Sequence, residues 1–258
     1  MRERPPLHVP TVDGVVLGLD VAMIRAVLAV LLLGEGQRIT TGRIAQALWA
    51  TPPKSAMSNL RTYLARLRAT LRAGSPHLAT RLVTLPDSGG YLFPLTAGEL
   101  DVPVFADLAR RGQAQLRAGE HTAAAATLHD ALTLWRGPAG QDVTATGTLA
   151  QQFADLDEQR VIATEDLFDA RLAVGATAGL LQDVRALVLD QPLRDRPREQ
   201  LMRTLYLAVD PAGALDAYQK ARQCFGESLG IEPSRRLQLL QGAILRRDDV
   251  TLAAGPES

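Results

Sequence analysis

The chain has 258 residues, 47% of them hydrophobic, with 28 basic and 28 acidic side chains. That is enough for a sizeable core and one large or two modest domains. Cys224 stands alone, which excludes an internal disulfide and a multi-cysteine metal site, and His8, His77, His121 and His129 show no metal-ligand spacing. The longest apolar run, near Ala26–Leu33, is too short to cross a bilayer, and no signal peptide is visible. We therefore expect a cytoplasmic protein with no cofactor, no metal and no membrane partner. The zero net charge hides an asymmetry: residues 1–100 hold 11 Lys and Arg against 6 Asp and Glu, the remainder 17 against 22. Such a split suggests that the first part alone meets a polyanion.

In chain order, pieces around Leu7–Val9 and Val15–Leu19 read as two small strands joined at Asp13-Gly14. Asp20 is a candidate N-cap for a helix over Val21–Leu33, with Ala26, Val27, Val30 and Leu31 on its buried face. Thr40 and Thr41 cap a short helix over Gly42–Trp49, stopped by Thr51-Pro52-Pro53. Thr40, Thr41 and Arg43 at its start suit both capping and phosphate binding through free backbone N–H groups.

The stretch Lys54–Arg72 follows. Leu60, Leu64, Leu67 and Leu71 recur at helical spacing, with Tyr63 beside them. The opposite face, from Lys54 and Ser55 through Ser58, Asn59, Arg61, Thr62, Ala65, Arg66 and Arg68 to Arg72, carries no acidic residue. Such a helix can lie in the major groove of double-stranded DNA. Ser58, Asn59, Arg61, Thr62 and Ala65 would then face bases, while Lys54, Arg66, Arg72, Thr41 and Arg43 hold phosphates. Arg68 is expected to hold a phosphate beside Arg66 and Arg72, the alternative being that it lies toward the side and pairs with an acid of another domain. Trp49 and Tyr63 read as core.

Arg81 to Phe93 reads as two strands around Pro86-Asp87-Ser88-Gly89-Gly90. Arg81, Ser88, Gly89, Gly90 and Tyr91 would then form a wing along the adjacent groove, with Arg81 reaching the minor groove or a phosphate. Three helices and a hairpin are the parts of a winged helix-turn-helix. The rest reads as helices closed near Gly119, then over Thr122–Arg136, Leu149–Val174, Leu180–Asp190, Arg198–Val209, Ala212–Leu229 and Ser234–Arg246. Ala131 and Ala221 sit at equivalent close-packing points of their helix pairs, as in tetratricopeptide repeats. The fold expected is mainly α: a winged helix-turn-helix with a small hairpin wing over residues 1–98, an all-α repeat-like domain over 99–250, and a disordered tail over 251–258. Trp135 is expected to pack between helices and Cys224 to be a small buried side chain. Asp155, Asp157, Glu158, Glu165, Asp166 and Asp169 form an acidic band on the long helix; at this density a solvated face outweighs an acid–base site.

Residues 14–95, through RAVLAVLLLGEGQRITTGRIAQALW, NLRTYLARLRATL and the wing end GGYLF, resemble the OmpR-type winged helix as it occurs in the Streptomyces antibiotic regulatory proteins. ALTLWRGPA and ALDAYQKARQCFGESLGIEP resemble the bacterial transcriptional activation domain of the same regulators. The resemblance implies an activator whose copies sit side by side on direct repeats at promoters. It would recruit the RNA polymerase holoenzyme to a pathway for secondary-metabolite (antibiotic) biosynthesis. Two departures bear on DNA contacts. Ala22-Met23-Ile24 stands where relatives carry Lys or Gln beside Arg25, leaving any phosphate contact there to Arg25 alone. Arg61 stands where relatives often have Gln, which points to a different base, guanine, since Arg reads its O6 and N7 edge. The alternative is a helical scaffold or effector-sensing protein whose winged helix mediates protein contacts. Salt-dependent binding to duplex DNA separates the two.

Overall fold

The computed structural model describes residues 19, 21–86 and 89–248. The two small strands expected near the start, the Asp20 cap, Ser88 and the tail lie outside these residues, save Leu19, which is buried. The chain forms two compact units that no single cut separates: Met1–Val104 with Trp135–Gln159, and Phe105–Leu134 with Arg160–Ser258.

In the first unit, α1 (Ala22–Leu33) is buried along almost its whole length, from Ile24 and Ala26 to Leu31. That exceeds the one face expected from its periodicity. Its N-cap position falls on Val21, and the chain turns out of the helix through Gly34, Glu35 and Gly36. A two-residue strand, β1 (Ile39–Thr40), leads directly into α2 (Thr41–Leu48). Thr40 is the N-cap of α2, its Oγ1 accepting from the Arg43 amide at 3.3 Å.

Pro52 and Pro53 hold the turn before α3 (Ala56–Gly74), whose Leu60, Leu64, Leu67 and Leu71 are at most 1% exposed. Each such leucine stabilises the unit by roughly 2 kcal/mol through burial. A helix not foreseen, α4 (Pro76–Arg81), begins with proline at its first turn and buries Leu78 and Ala79. The wing follows as β2 (Val83–Leu85) and β3 (Gly90–Leu92), antiparallel with Thr84 opposite Tyr91. β1 pairs with the other edge of β3, so the sheet order is β1-β3-β2. Trp49 and Tyr63 pack against the core with ring centroids 6.5 Å apart.

The first unit also takes up Trp135–Gln159. Leu149 is fully buried in the same core as α1, α2 and α3.

The second unit is built of α5 (Asp101–Arg117, from Phe105 onward), α6 (His121–Thr133), the latter part of α7 (Thr148–Ala173), α8 (Leu180–Asp190), α9 (Asp195–Leu207), α10 (Pro211–Leu229) and α11 (Arg235–Arg246). Helix α9 packs against α8, α10 and α11. It is buried on most sides, and five of its buried residues are polar: Arg198, Glu199, Gln200, Arg203 and Thr204. Ala131 and Ala221 are both fully buried, as their helix-pair positions require. Cys224 is half-buried, its Sγ 3.6 Å from the Pro192 carbonyl.

Here the expectation for the acidic band fails in part. Asp155 and Glu158 are exposed, but Glu165 and Asp166 are 2% and 4% exposed. Arg194 forks onto Glu165 at 2.8 and 3.0 Å. Arg196 meets Asp166 at 2.5 Å and Asp169 at 2.7 and 2.9 Å. The Gln200 side chain donates to the Glu165 carbonyl and to Asp169, both at 2.8 Å. A buried carboxylate needs both a cation and hydrogen bonds, and the arginine-rich segment 194–203 supplies them.

Candidate nucleic-acid interface

The outer face of α3 presents Ser58, Arg61, Thr62, Ala65, Arg66 and Arg72 as exposed residues, with Asn59 half-buried. Lys54 and Ser55 are exposed ahead of it. The first turns are ordered from within. Asn59 Nδ2 donates to Ser55 Oγ at 3.2 Å, and Thr62 Oγ1 donates to the Ser58 carbonyl at 3.2 Å. Both bonds are on exposed groups and can be exchanged for a base edge or phosphate at small cost. Arg61 and Arg66 project opposite a buried side made of Ala56 and four leucines, so the helix is held by the core while the guanidinium groups stand in solvent.

The N-terminus of α2 is less open than its sequence suggests. The Thr41 amide donates to the Gly89 carbonyl at 3.1 Å, and the Arg43 amide is taken by Thr40. Those two N–H groups are committed to the wing and the cap, and the exposed Arg43 side chain and the Thr41 hydroxyl stand beside them as groups able to hold a phosphate. The bond from Thr41 ties the wing to α2.

Gly89 has a φ of +59° and is exposed at the wing turn. Gly90 is buried: a Cβ there would lie 2.9 Å from the Ile39 carbonyl oxygen. Gly90 therefore lets β1 and β3 approach, and its backbone cannot also lie in a groove. Tyr91 is half-buried and packs against the core of the unit. Sequence reasoning leaves out Arg38, an exposed cation whose Cγ is 3.3 Å from the Cβ that Gly90 lacks. Its signal is faint, since β1 is too short to read by alternation.

Three arginines are spent inside the unit. Arg68, expected to hold a phosphate or an acid of another domain, instead donates to the Leu82 carbonyl and to Thr84 Oγ1, both at 2.9 Å, at the wing strand β2. Arg25 donates to the Asp142 carbonyl at 2.8 Å and the Leu19 carbonyl at 2.5 Å, which removes it as a phosphate contact. Arg81 ends α4 instead of opening a strand. Its guanidinium pairs with Glu99 at 2.9 and 2.5 Å, reaches the Pro94 carbonyl and lies 5.2 Å over the Phe93 ring. It braces the base of the wing, its guanidinium taken up by these partners.

The hydrogen bonds from Arg81, joined by the Thr96 amide, hold the Glu99 carboxyl at about 2 against an ordinary 4.5. A depressed folded-state pKa contributes stability that is present above 4.5 and lost as pH falls toward 2. Glu99→Gln should therefore lower stability at neutral pH and flatten the acid limb between those values. Urea titrations from pH 7 to pH 2 would show the wild-type advantage shrinking through that window. An advantage constant with pH would contradict the assignment.

A winged helix with a cationic, acid-free third helix, followed by paired helices, is the architecture of a bacterial transcriptional regulator. The chain belongs to the Streptomyces antibiotic regulatory protein family, its residues 100–245 matching the bacterial transcriptional activator domain. It is 35% identical to the regulatory protein DnrI of Streptomyces peucetius, over 90% of this chain and 87% of that one. It is 37% identical to the regulatory protein AfsR of Streptomyces griseus over 87% of this chain, which spans only 22% of that protein's length. The structure of Mycobacterium tuberculosis EmbR in complex with a low-affinity phosphopeptide is similar at a TM-score of 0.82 and 26% identity. That likeness covers 96% of this chain and 66% of EmbR's.

Proposed function

We propose that the protein is a sequence-specific activator that reads promoter DNA through α3 and recruits RNA polymerase. The observation that carries this reading is the outer face of α3, where Ser58, Arg61, Thr62, Ala65 and Arg66 are exposed on a helix with no acidic side chain. Ser58, Asn59, Arg61, Thr62 and Ala65 meet base edges. Lys54, Ser55, Arg66, Arg72 and Arg43 hold phosphates, joined by the Thr41 side chain, while Gly89 and the wing turn lie along the neighbouring groove. Arg38 is added to the phosphate set; Arg25, Arg68, Arg81 and Gly90 leave it. Copies bind side by side on direct repeats, because head-to-tail placement matches repeats whereas a two-fold dimer demands palindromes. Similarity to DnrI supports a role in switching on a secondary-metabolite pathway, the protein acting in the cytoplasm on the nucleoid.

Arg61 decides the reading at one position. Arg61→Ala should cost about 1–3 kcal/mol at a single base pair and relax preference there, measured by binding to a set of duplexes with each base pair changed in turn. A uniform loss on every duplex would assign Arg61 to the backbone instead.

A further inference from the structure

Residues 142–149 lie within the stretch matching the activator domain, yet they touch the winged helix at four points. Arg25 of α1 donates to the Asp142 carbonyl at 2.8 Å. Thr146 Oγ1 donates to the Leu48 carbonyl at 2.9 Å. That oxygen is among the last carbonyls of α2, which have no amide one turn ahead to bond them. Leu149 is fully buried among the residues of α1, α2 and α3. Between the last two contacts, Gly147 lies against the end of α2 so closely that a Cβ would collide with the Gln46 carbonyl oxygen and sit 2.6 Å from that of Ala47.

The end of α2 matters because the chain passes from it straight into the turn before α3. Trp49 follows Leu48, and its ring meets Tyr63 of α3. A shift of the α2 carbonyls is therefore passed to α3 through covalent chain and ring packing together, and contacts to base edges tolerate displacements of well under an ångström.

We propose that Gly147, with Thr146 beside it, positions the turn joining α2 to α3, so that residues 142–149 complete the DNA-reading unit from within the activator segment. This rests on the DNA-reading function proposed above. Gly147 and Thr146 touch no base; they are positioning residues, and a small side chain at 147 moves the reading helix without removing any group that meets DNA.

The test uses the full chain and two labelled duplexes of equal length, one carrying a site protected by the wild-type protein and one scrambled. Gly147→Ala, confirmed folded by circular dichroism, should lose roughly tenfold on the specific duplex and much less on the scrambled one, where phosphate contacts dominate. Thr146→Val should lose a smaller amount in the same sense, and Thr146→Ser should restore it, because serine keeps the hydroxyl. Specific and scrambled affinities falling together would mark a merely structural role and overturn the proposal. Full discrimination in folded Gly147→Ala would overturn it too. If Gly147→Ala does not fold, unchanged discrimination in Thr146→Val overturns it. A wild-type protein that binds neither duplex in a salt-dependent way overturns the DNA-reading function and this proposal with it.

Discussion

Arg196→Met is expected to destabilise the second unit by about 3 kcal/mol, because it leaves Asp166 and Asp169 facing each other with their shared cation gone. Arg196 forks between the two carboxylates, and its third nitrogen lies 3.7 Å from Glu165. Burial works against its charge, but Asp169 and Asp166 outweigh that and hold the guanidinium above its ordinary pKa. Methionine matches the length and fills the space, so what is lost is the compensation of buried negative charge. The Asp166 side chain is only 6% exposed and cannot turn to water. Arg196→Lys should fall between the two, since an ammonium cannot fork onto two acids. Urea unfolding followed by circular dichroism reads the effect, and an Arg196→Met variant within about 1 kcal/mol of wild type would show that Gln200 and Arg203, which also reach Asp169, suffice.

Leu67→Ala is expected to cost about 2–5 kcal/mol and to abolish DNA binding as a consequence. Leu67 is fully buried in the middle of α3, and truncating it leaves a cavity lined by the core that holds the recognition helix. The two tryptophans, Trp49 and Trp135, both belong to the first unit, so their fluorescence follows its unfolding. Ala65, two residues away on the outer face, is the natural contrast. Replacing it with serine should leave the fluorescence transition in place and alter only which base pairs are preferred. Loss of stability in Ala65→Ser comparable to Leu67→Ala would mean that α3 is rotated about its axis, with Ala65 turned into the core.

What can be read from the sequence follows from how strongly each feature is repeated along the chain. The stripe of four leucines from Leu60 to Leu71 fixes both faces of α3, so the exposed set from Ser58 to Arg72 emerges almost unchanged. The fates of the arginines do not emerge, because a guanidinium reads the same in sequence whether it meets water, a phosphate or a carbonyl. Arg25, Arg68 and Arg81 each find acceptors in the fold, at Asp142, Thr84 and Glu99. Helix α4 escapes a sequence reading because Pro76 resembles a loop residue, although proline at a first helical turn costs nothing. The acidic band misleads for a related reason. Its partners lie about thirty residues on, in Arg194, Arg196 and Gln200, and only the packing of α9 beside α7 brings them together. Residues 135–159 read as part of the helical half because they adjoin it in sequence; in the fold Leu149 is buried in the core of the winged helix, with Val143, Ala145 and Phe153 packed against it.

The most direct test is a footprint of the wild-type protein on the promoters of its own gene cluster at two salt concentrations. Protection of adjacent direct repeats is predicted at low salt. It should weaken steeply at high salt, with a slope of log affinity against log salt of about −4 to −5 per bound copy if Arg38, Arg43, Lys54, Arg66 and Arg72 each neutralise a phosphate. Folded protein that protects no site at either concentration, or binds with no dependence on salt, would contradict a DNA-reading role for α3.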